Sequence, residues 1–268
     1  MKTYNIFTNE IDSLPHGKAD FLLATKTPNH KTLLNDDTPE GIYSFALITR
    51  AIENLNPFSF IETFDITNQS KTSTNAKDIF ADGMALGRSY ELKGSYLILA
   101  QNSFGVAQNA LATLKSLSDN TQTSNFEKLS LVCDETLIFC AGFLLEASRR
   151  FHVVVGGGIE MAVCLLIADK VREDVLMRLK SDNISFATTS WAAKGTNIKE
   201  VLEQLSYKPH AIYTTLDLEN VEIQRLKKYE EQEEKDGMGA GASLAYATTN
   251  GLTNKAVLNE MELILYMA

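Results

Sequence analysis

Apolar residues along this chain fall into two kinds of run, and the two alternate. The first kind is short and continuous: D-F-L-L-A-T (20–25), S-Y-L-I-L-A (95–100), F-H-V-V-V (151–155), I-S-F-A-T-T (184–189) and A-I-Y-T-T-L-D-L (211–218). Runs of that length, bounded by polar residues, Gly or Pro, predict strands buried on both faces. L-S-L-V-C (129–133) predicts another, and the alternation from Phe58 to Phe64 one more. In the second kind, apolar positions recur every three or four residues. Ile42, Phe45, Ala46, Thr49 and Ile52 make one such face, and Ile79, Phe80, Met84 and Leu86 a second, with Tyr90 near its end and Gly94 as a stop. Further helices are predicted over 135–149 behind an Asp134 cap, after Gly158, and over 172–179, 197–205, about 219–235 and 254–268. Polar stretches at 27–40, 69–75 and 118–125 read as loops, as does S-W-A-A-K-G at 190–195.

Strand and helix alternating without an internal repeat predict an α/β fold. Its expected form is three layers, a mostly parallel sheet with helices on both faces, in one domain over residues 1–268. Ligands in such folds gather at the C-terminal ends of the strands. The loops at 100–105, 156–158, 190–195 and 236–241 therefore become candidates for one shared site.

Composition narrows the function classes. A formal net charge of −9 argues against a nucleic-acid surface, which needs clustered Lys and Arg. Cys133, Cys140 and Cys164 lie inside apolar runs without metal spacing, and His16, His30, His152 and His210 form no ligand pattern. Neither a metal nor a cofactor is expected. The N-terminus lacks an apolar signal core and no stretch reaches membrane-spanning length, so a cytoplasmic protein without membrane contact is expected. A homo-oligomeric state is compatible with all of this.

Chemistry concentrates in two glycine-rich stretches. In K-D-G-M-G-A-G-A-S-L-A-Y-A (235–247), Gly237, Gly239 and Gly241 open a helical segment, with Asp236 at the lip of the loop. A helix starting there aims N–H groups and the positive end of its dipole at an anion. In V-V-V-G-G-G-I-E-M-A, Gly156, Gly157 and Gly158 stand between strand and helix. Gly156 and Gly158 fit the first two places of a dinucleotide fingerprint, but Met161 occupies the third, which argues against a dinucleotide site. Glu160 suits a capping role in the first helical turn, and Trp191 a place in the core.

These stretches resemble the nicotinate-nucleotide–dimethylbenzimidazole phosphoribosyltransferases, and specifically their divergent archaeal-type branch. V-V-V-G-G-G-I-E-M-A resembles that branch's G-G-G/T-x-M turn, and A-T-T-S-W-A its T-T-R-W loop. K-Y-E-E-Q-E-E-K-D-G-M-G-A-G-A-S-L-A is similar to Y-E-x-G-x-V-K-E-G-V-G-A-G-G-A-L-A. S-Y-L-I-L-A-Q-N-S-F-G-V-A-Q-N-A-L-A-T-L is similar to L-L-V-L-G-E-S-x-P-G-G-T-T-T-A-L-A-V-L. The order is the same and spans nearly the whole chain.

The resemblance implies a reaction. A ring nitrogen of an aromatic base attacks the ribose C1′ of nicotinate mononucleotide, nicotinate leaves, and an α-ribosyl base phosphate forms for the lower ligand of cobamides. It also implies partners, a nicotinate nucleotide and an aromatic base. Asp236 takes the place of the family's proton-accepting glutamate, one methylene shorter. Gln101, Asn102 and Gly105 fall in the phosphate-loop stretch, and with Gly156, Gly157, Gly158, Gly237, Gly239 and Gly241 they make the implied substrate-binding set. There Gln101 replaces an acidic residue, and Val106, Ala107, Gln108 and Asn109 replace the hydroxyl-rich cradle; Ser190 replaces the arginine of T-T-R-W. Two readings follow: a phosphoribosyltransferase, or a degenerate relative that binds an aromatic ligand, a nucleotide or a partner chain without turnover.

Overall fold

A computed structural model of the protein describes residues 1–26, 46–66, 75–102, 106–119, 123–219 and 236–267. The predicted helix at 219–235, the loop at 27–40 and Gly105 fall almost wholly outside these residues. The strands are β1 (Lys2–Asn5), β2 (Ala19–Thr25), β3 (Phe60–Asp65), β4 (Tyr96–Asn102), β5 (Val153–Gly156), β6 (Ile184–Thr189) and β7 (His210–Thr215). They form one seven-stranded sheet in the order β1-β7-β6-β5-β4-β2-β3. All neighbours are parallel except β1, which runs antiparallel to β7. The α/β layering expected from the hydrophobic pattern is the one observed.

The helices are α1 (Ala46–Leu55), α2 (Ala76–Ser89), α3 (Val106–Ser118), α4 (Asn125–Val132), α5 (Glu135–Ala147), α6 (Ile159–Asp174), α7 (Ser190–Gly195), α8 (Ile198–Leu202), α9 (Ala240–Thr249) and α10 (Asn254–Met267). Strand alternation sorts the core into two layers. Leu22, Ala24, Leu97, Leu99, Val153 and Val155 face one way, against α2, α4, α5 and α6. Phe21, Leu23, Tyr96, Ile98, Ala100 and Val154 face the other, against α1, α9 and α10. Burying each such aliphatic side chain contributes about 1.5–3 kcal/mol, so the central strands hold the layers together.

Three local readings change. L-S-L-V-C belongs to helix α4, because Ser124 and Glu127 form a reciprocal capping box just ahead of it. Its apolar residues then divide at helical spacing, with Leu129 buried and Leu131 81% exposed. The predicted second helix over 172–179 does not exist as such. Helix α6 runs on to Asp174 and stops where Leu176 turns left-handed at φ 54°, while Met177 N–H bonds back to Arg172 O at 2.8 Å. Residues 190–195 are helix α7 rather than a loop, capped by the Thr189 hydroxyl, which accepts from Ala192 N–H at 3.1 Å. Strand β1 had no signal in the hydrophobic pattern.

Candidate active site

From β2 the chain crosses to β3 on one side, then returns to β4 and proceeds through β5, β6 and β7 on the other. The C-terminal ends of β2 and β4 therefore flank a topological switch point, where open α/β sheets present a crevice. Gln101 and Asn102 end β4 and are both buried. Among the described residues Gln101 Oε1 finds no hydrogen-bond donor. Thr25 Oγ1 donates to Asn102 O at 3.0 Å, and the next residue, Lys26, pairs with Asp134 at 3.0 Å and Glu135 at 3.4 Å.

Beside this crevice the two glycine turns meet, and bare backbone is what lets them. A Cβ on Gly156 would lie 2.6 Å from Ala242 Cβ and 3.4 Å from Gly239 Cα. One on Gly241 would lie 2.1 Å from Thr188 C. Helix α9 therefore starts directly over the ends of β5 and β6, closer than any side chain permits. Gly239 caps it at φ 70°, and Met238 before it also has positive φ, 49°. A non-glycine residue held there stores on the order of 1–3 kcal/mol. Thr49 of α1 supports it, donating to Met238 O at 3.3 Å while lying 3.1 Å from the Ser243 hydroxyl.

Asp236 lies at the centre of this junction and is 4% exposed. Its Oδ2 accepts from Thr188 Oγ1 at 3.0 Å and from Thr189 N–H at 2.8 Å; its Oδ1 accepts from Gly241 N–H at 3.3 Å. Burial pushes its pKa up to about 7, and the negative charge of Glu160 pushes the same way, against the three hydrogen bonds. A carboxyl group poised near neutrality can give or take a proton, as general acid–base chemistry requires.

The first-turn amides are less available than the sequence implied. Gly241 N–H is donated to Asp236 and Ala240 N–H to Gly237 O at 3.0 Å. At the other turn Gly158 N–H is donated to Glu160 Oε1 at 2.8 Å and Gly157 N–H to Ala187 O at 3.3 Å. In each turn the chain's own carboxylate stands where an anion would bind.

The structure thus brings together Gly156, Gly239, Gly241 and Asp236, with Gly157, Gly158 and Gly237 in the same two turns. Gln101 ends the adjacent strand, but it alternates with Ala100, whose Cβ faces Gly239, and so starts from the opposite face of the sheet. Gly105 lies outside the described residues. Sequence reasoning missed Thr188 and Thr189, although the T-T pair was visible, and gave Glu160 only its capping role. A separate concavity of about 470 Å³, lined by Phe7, Lys199, Leu202, Tyr207 and Lys208 among others, contains no residue of either glycine turn. Among the described residues no cluster of His, Cys, Asp and Glu is arranged to hold a metal ion, and no helix is long and apolar enough to cross a membrane.

No family model matches the chain. A UPF0284 protein from Sulfolobus acidocaldarius is 24% identical over 297 residues, which cover 93% of this chain and 85% of that one. A UPF0284 protein from Microcystis aeruginosa is 25% identical, covering 73% and 63%. MJ1598, the UPF0284 protein of Methanocaldococcus jannaschii, is 24% identical, covering 69% and 61%. The chain thus spans less than two thirds of the last two. Among solved structures, the nicotinate-nucleotide–dimethylbenzimidazole phosphoribosyltransferase of Thermus thermophilus superposes with a TM-score of 0.54 at 11% identity, covering 93% of this chain and 84% of that one. CobT from the same organism gives 0.53 at 12% identity, covering 91% and 84%. At such identities the likeness is one of fold, which this chain shares with these two structures.

Proposed function

We propose that this protein is a phosphoribosyltransferase that moves the phosphoribosyl group of a nicotinate-type nucleotide to a nitrogen of an aromatic base. The observation that carries this reading is Asp236: a sequestered carboxyl group with its pKa at about 7, at the meeting point of two glycine turns. In the reaction it accepts the proton that the ring nitrogen loses as that nitrogen bonds to C1′ and nicotinate departs. Oδ1, with a single long hydrogen bond among the described residues, is the oxygen with capacity left for the incoming base. Thr188 and Thr189 hold Oδ2 and fix the carboxyl plane. Gly156 lets α9 close onto the end of β5, which is what places Asp236 beside the turn of Gly156–Gly158.

One observation favours the second reading, binding of an aromatic ligand without turnover. The amides of Gly158 and Gly241 are engaged by Glu160 and Asp236, and two carboxylates near a phosphate oppose it. The deciding experiment is turnover of nicotinate mononucleotide with a panel of benzimidazoles and phenols, followed by release of nicotinate. Enzyme activity abolished in Asp236→Asn and partly retained in Asp236→Glu supports transfer. Thermal stabilisation by the aromatic compounds alone, with no nicotinate released, establishes the binding role instead.

A further inference from the structure

At the opposite, N-terminal ends of the strands, four side chains are joined in line. His152, directly before β5, places Nε2 2.9 Å from Ser185 Oγ on β6. Ser185 Oγ lies 2.8 Å from Nδ1 of His210 on β7, and His210 Nε2 lies 3.1 Å from Asp12 Oδ2. Ser185 is fully buried, whereas the His210 and Asp12 side chains are 34% and 29% exposed. Asp12 is the one member outside the strands and their lead-in residues. It belongs to the segment after β1, which is pinned by Asp12 N–H to Thr3 O at 3.1 Å, by Leu14 N–H to Thr249 Oγ1 at 3.2 Å, and by the buried Leu14 side chain. Among the described residues, Tyr96 of β4 also faces the line, edge-on to His152 at 6.5 Å, and Tyr246 of α9 acts on Tyr96 in turn.

Proton counting makes this line selective. Ser185 has one hydrogen to give. With both imidazoles neutral, a single arrangement satisfies every bond: His152 Nε2–H to Ser185, Ser185 O–H to His210 Nδ1, and His210 Nε2–H to Asp12. One added proton is also accommodated. It converts the His210–Asp12 contact to an ion pair and reverses the Ser185 hydroxyl toward His152. A second proton is not accommodated, because two imidazolium N–H groups would then aim at one buried oxygen whose own hydrogen has no acceptor.

We propose that Asp12, His210, Ser185 and His152 form a one-proton latch that holds the segment bearing Leu14 against the sheet. The latch is tightest with one added proton and looser with none or two. With none, the Asp12 contact is a neutral–ion hydrogen bond rather than an ion pair. With two, His210 loses Ser185, and its ring is held at one end only. Burial and the neighbouring His210 keep the pKa of His152 below the ordinary histidine value, in keeping with its being the site of the second proton.

Hydrogen-exchange protection of the Asp12 and Leu14 amides, measured alongside the imidazole NMR titrations from about pH 4.5 to 8, tests this. The expected profile passes through a maximum and falls roughly five- to tenfold on either side. Asp12→Asn, at a partly exposed position, is expected to remove the rise on the alkaline side while leaving the fold intact. Ser185→Ala is expected to make the two histidines titrate independently. A monotonic profile in the unaltered protein, or histidines that already titrate independently in it, would overturn the latch, and both can be read even where Ser185→Ala does not fold.

Discussion

The two ends of this sheet solve the same problem in different ways. Both hold titratable groups at the ends of strands, fully buried at one end and half-buried at the other. At the C-terminal end a carboxyl group is held chiefly by backbone, through the amides of Thr189 and Gly241, with one hydroxyl from Thr188. At the N-terminal end the groups are held by one another, side chain to side chain. The first arrangement demands close backbone approach and therefore glycine. The second demands only that the strands bring the right side chains into register. Mutational tolerance should differ accordingly.

The largest effect is expected from Gly241→Ala. Its methyl carbon would lie 2.1 Å from the backbone of Thr188, which cannot yield without moving β6 or α9. We expect loss of more than about 4 kcal/mol, or failure to fold, by chemical denaturation. At the other end of α9, Gly251 has φ 82° but nothing within 4 Å of an added Cβ. Gly251→Ala is expected to cost about 1 kcal/mol, from backbone strain alone. Similar losses for the two substitutions would erase the contrast drawn between the ends.

Next in size is the chemical effect of Asp236→Asn, a fall in turnover of about 10²–10⁴-fold if the group is the base of the proposed transfer. Unchanged steady-state rates would remove Asp236 from the mechanism. For nicotinate mononucleotide itself, calorimetry is expected to give binding weaker than about micromolar, since absent hydroxyls cost roughly 0.5–1.5 kcal/mol per lost hydrogen bond. Tighter binding would show that the remaining amides suffice.

The subtlest contrast is in pH. Asp236 has a folded pKa raised from 3.8 to about 7, so its stabilising contribution is full below about pH 3.8 and is lost as pH rises through about 7. His152 has a folded pKa lowered from 6.5, so its contribution is present above about pH 6.5 and is lost as pH falls through the folded value. The two ends therefore tilt stability in opposite directions. Asp236→Asn should flatten the decline seen as pH rises toward neutrality, and His152→Gln the decline seen as pH falls below the ordinary histidine value, in melting temperatures recorded across that range. Variants that leave both limbs in place would assign the pH dependence elsewhere.

How much of this was legible depended on whether the signal was local. Doubly buried strands such as Ile184–Thr189 announce themselves by composition, and the glycine turns by the residue itself. L-S-L-V-C misled because a short apolar run fits either a strand or a helix; the arbitrating signal, Ser124 followed by Glu127, lay just upstream. The burial that shifts Asp236 was not local, since it depends on α9 closing over β5 and β6. Least legible were Asp12, His152, Ser185 and His210. They are scattered along the chain; the parallel pairing of β5, β6 and β7 places His152, Ser185 and His210 side by side, and the antiparallel β1 brings Asp12 to them. The fold was thus more readable than the chemistry it assembles.

Strand β1 has a consequence for how the molecule is made. It pairs with β7, and the Lys2–Thr215 contact spans 213 residues. At ribosomal speeds of about 5–20 residues per second, β1 waits roughly 10–40 s after its own synthesis for β7 to follow. During that interval β7's edge does not yet exist, and after β2 and β3 at one side the sheet gains β4, β5, β6 and β7 in turn toward the other. Closing that long loop comes late and is entropically costly, so docking of residues 2–5 should be among the last events of folding and, in the finished protein, among the first to reverse.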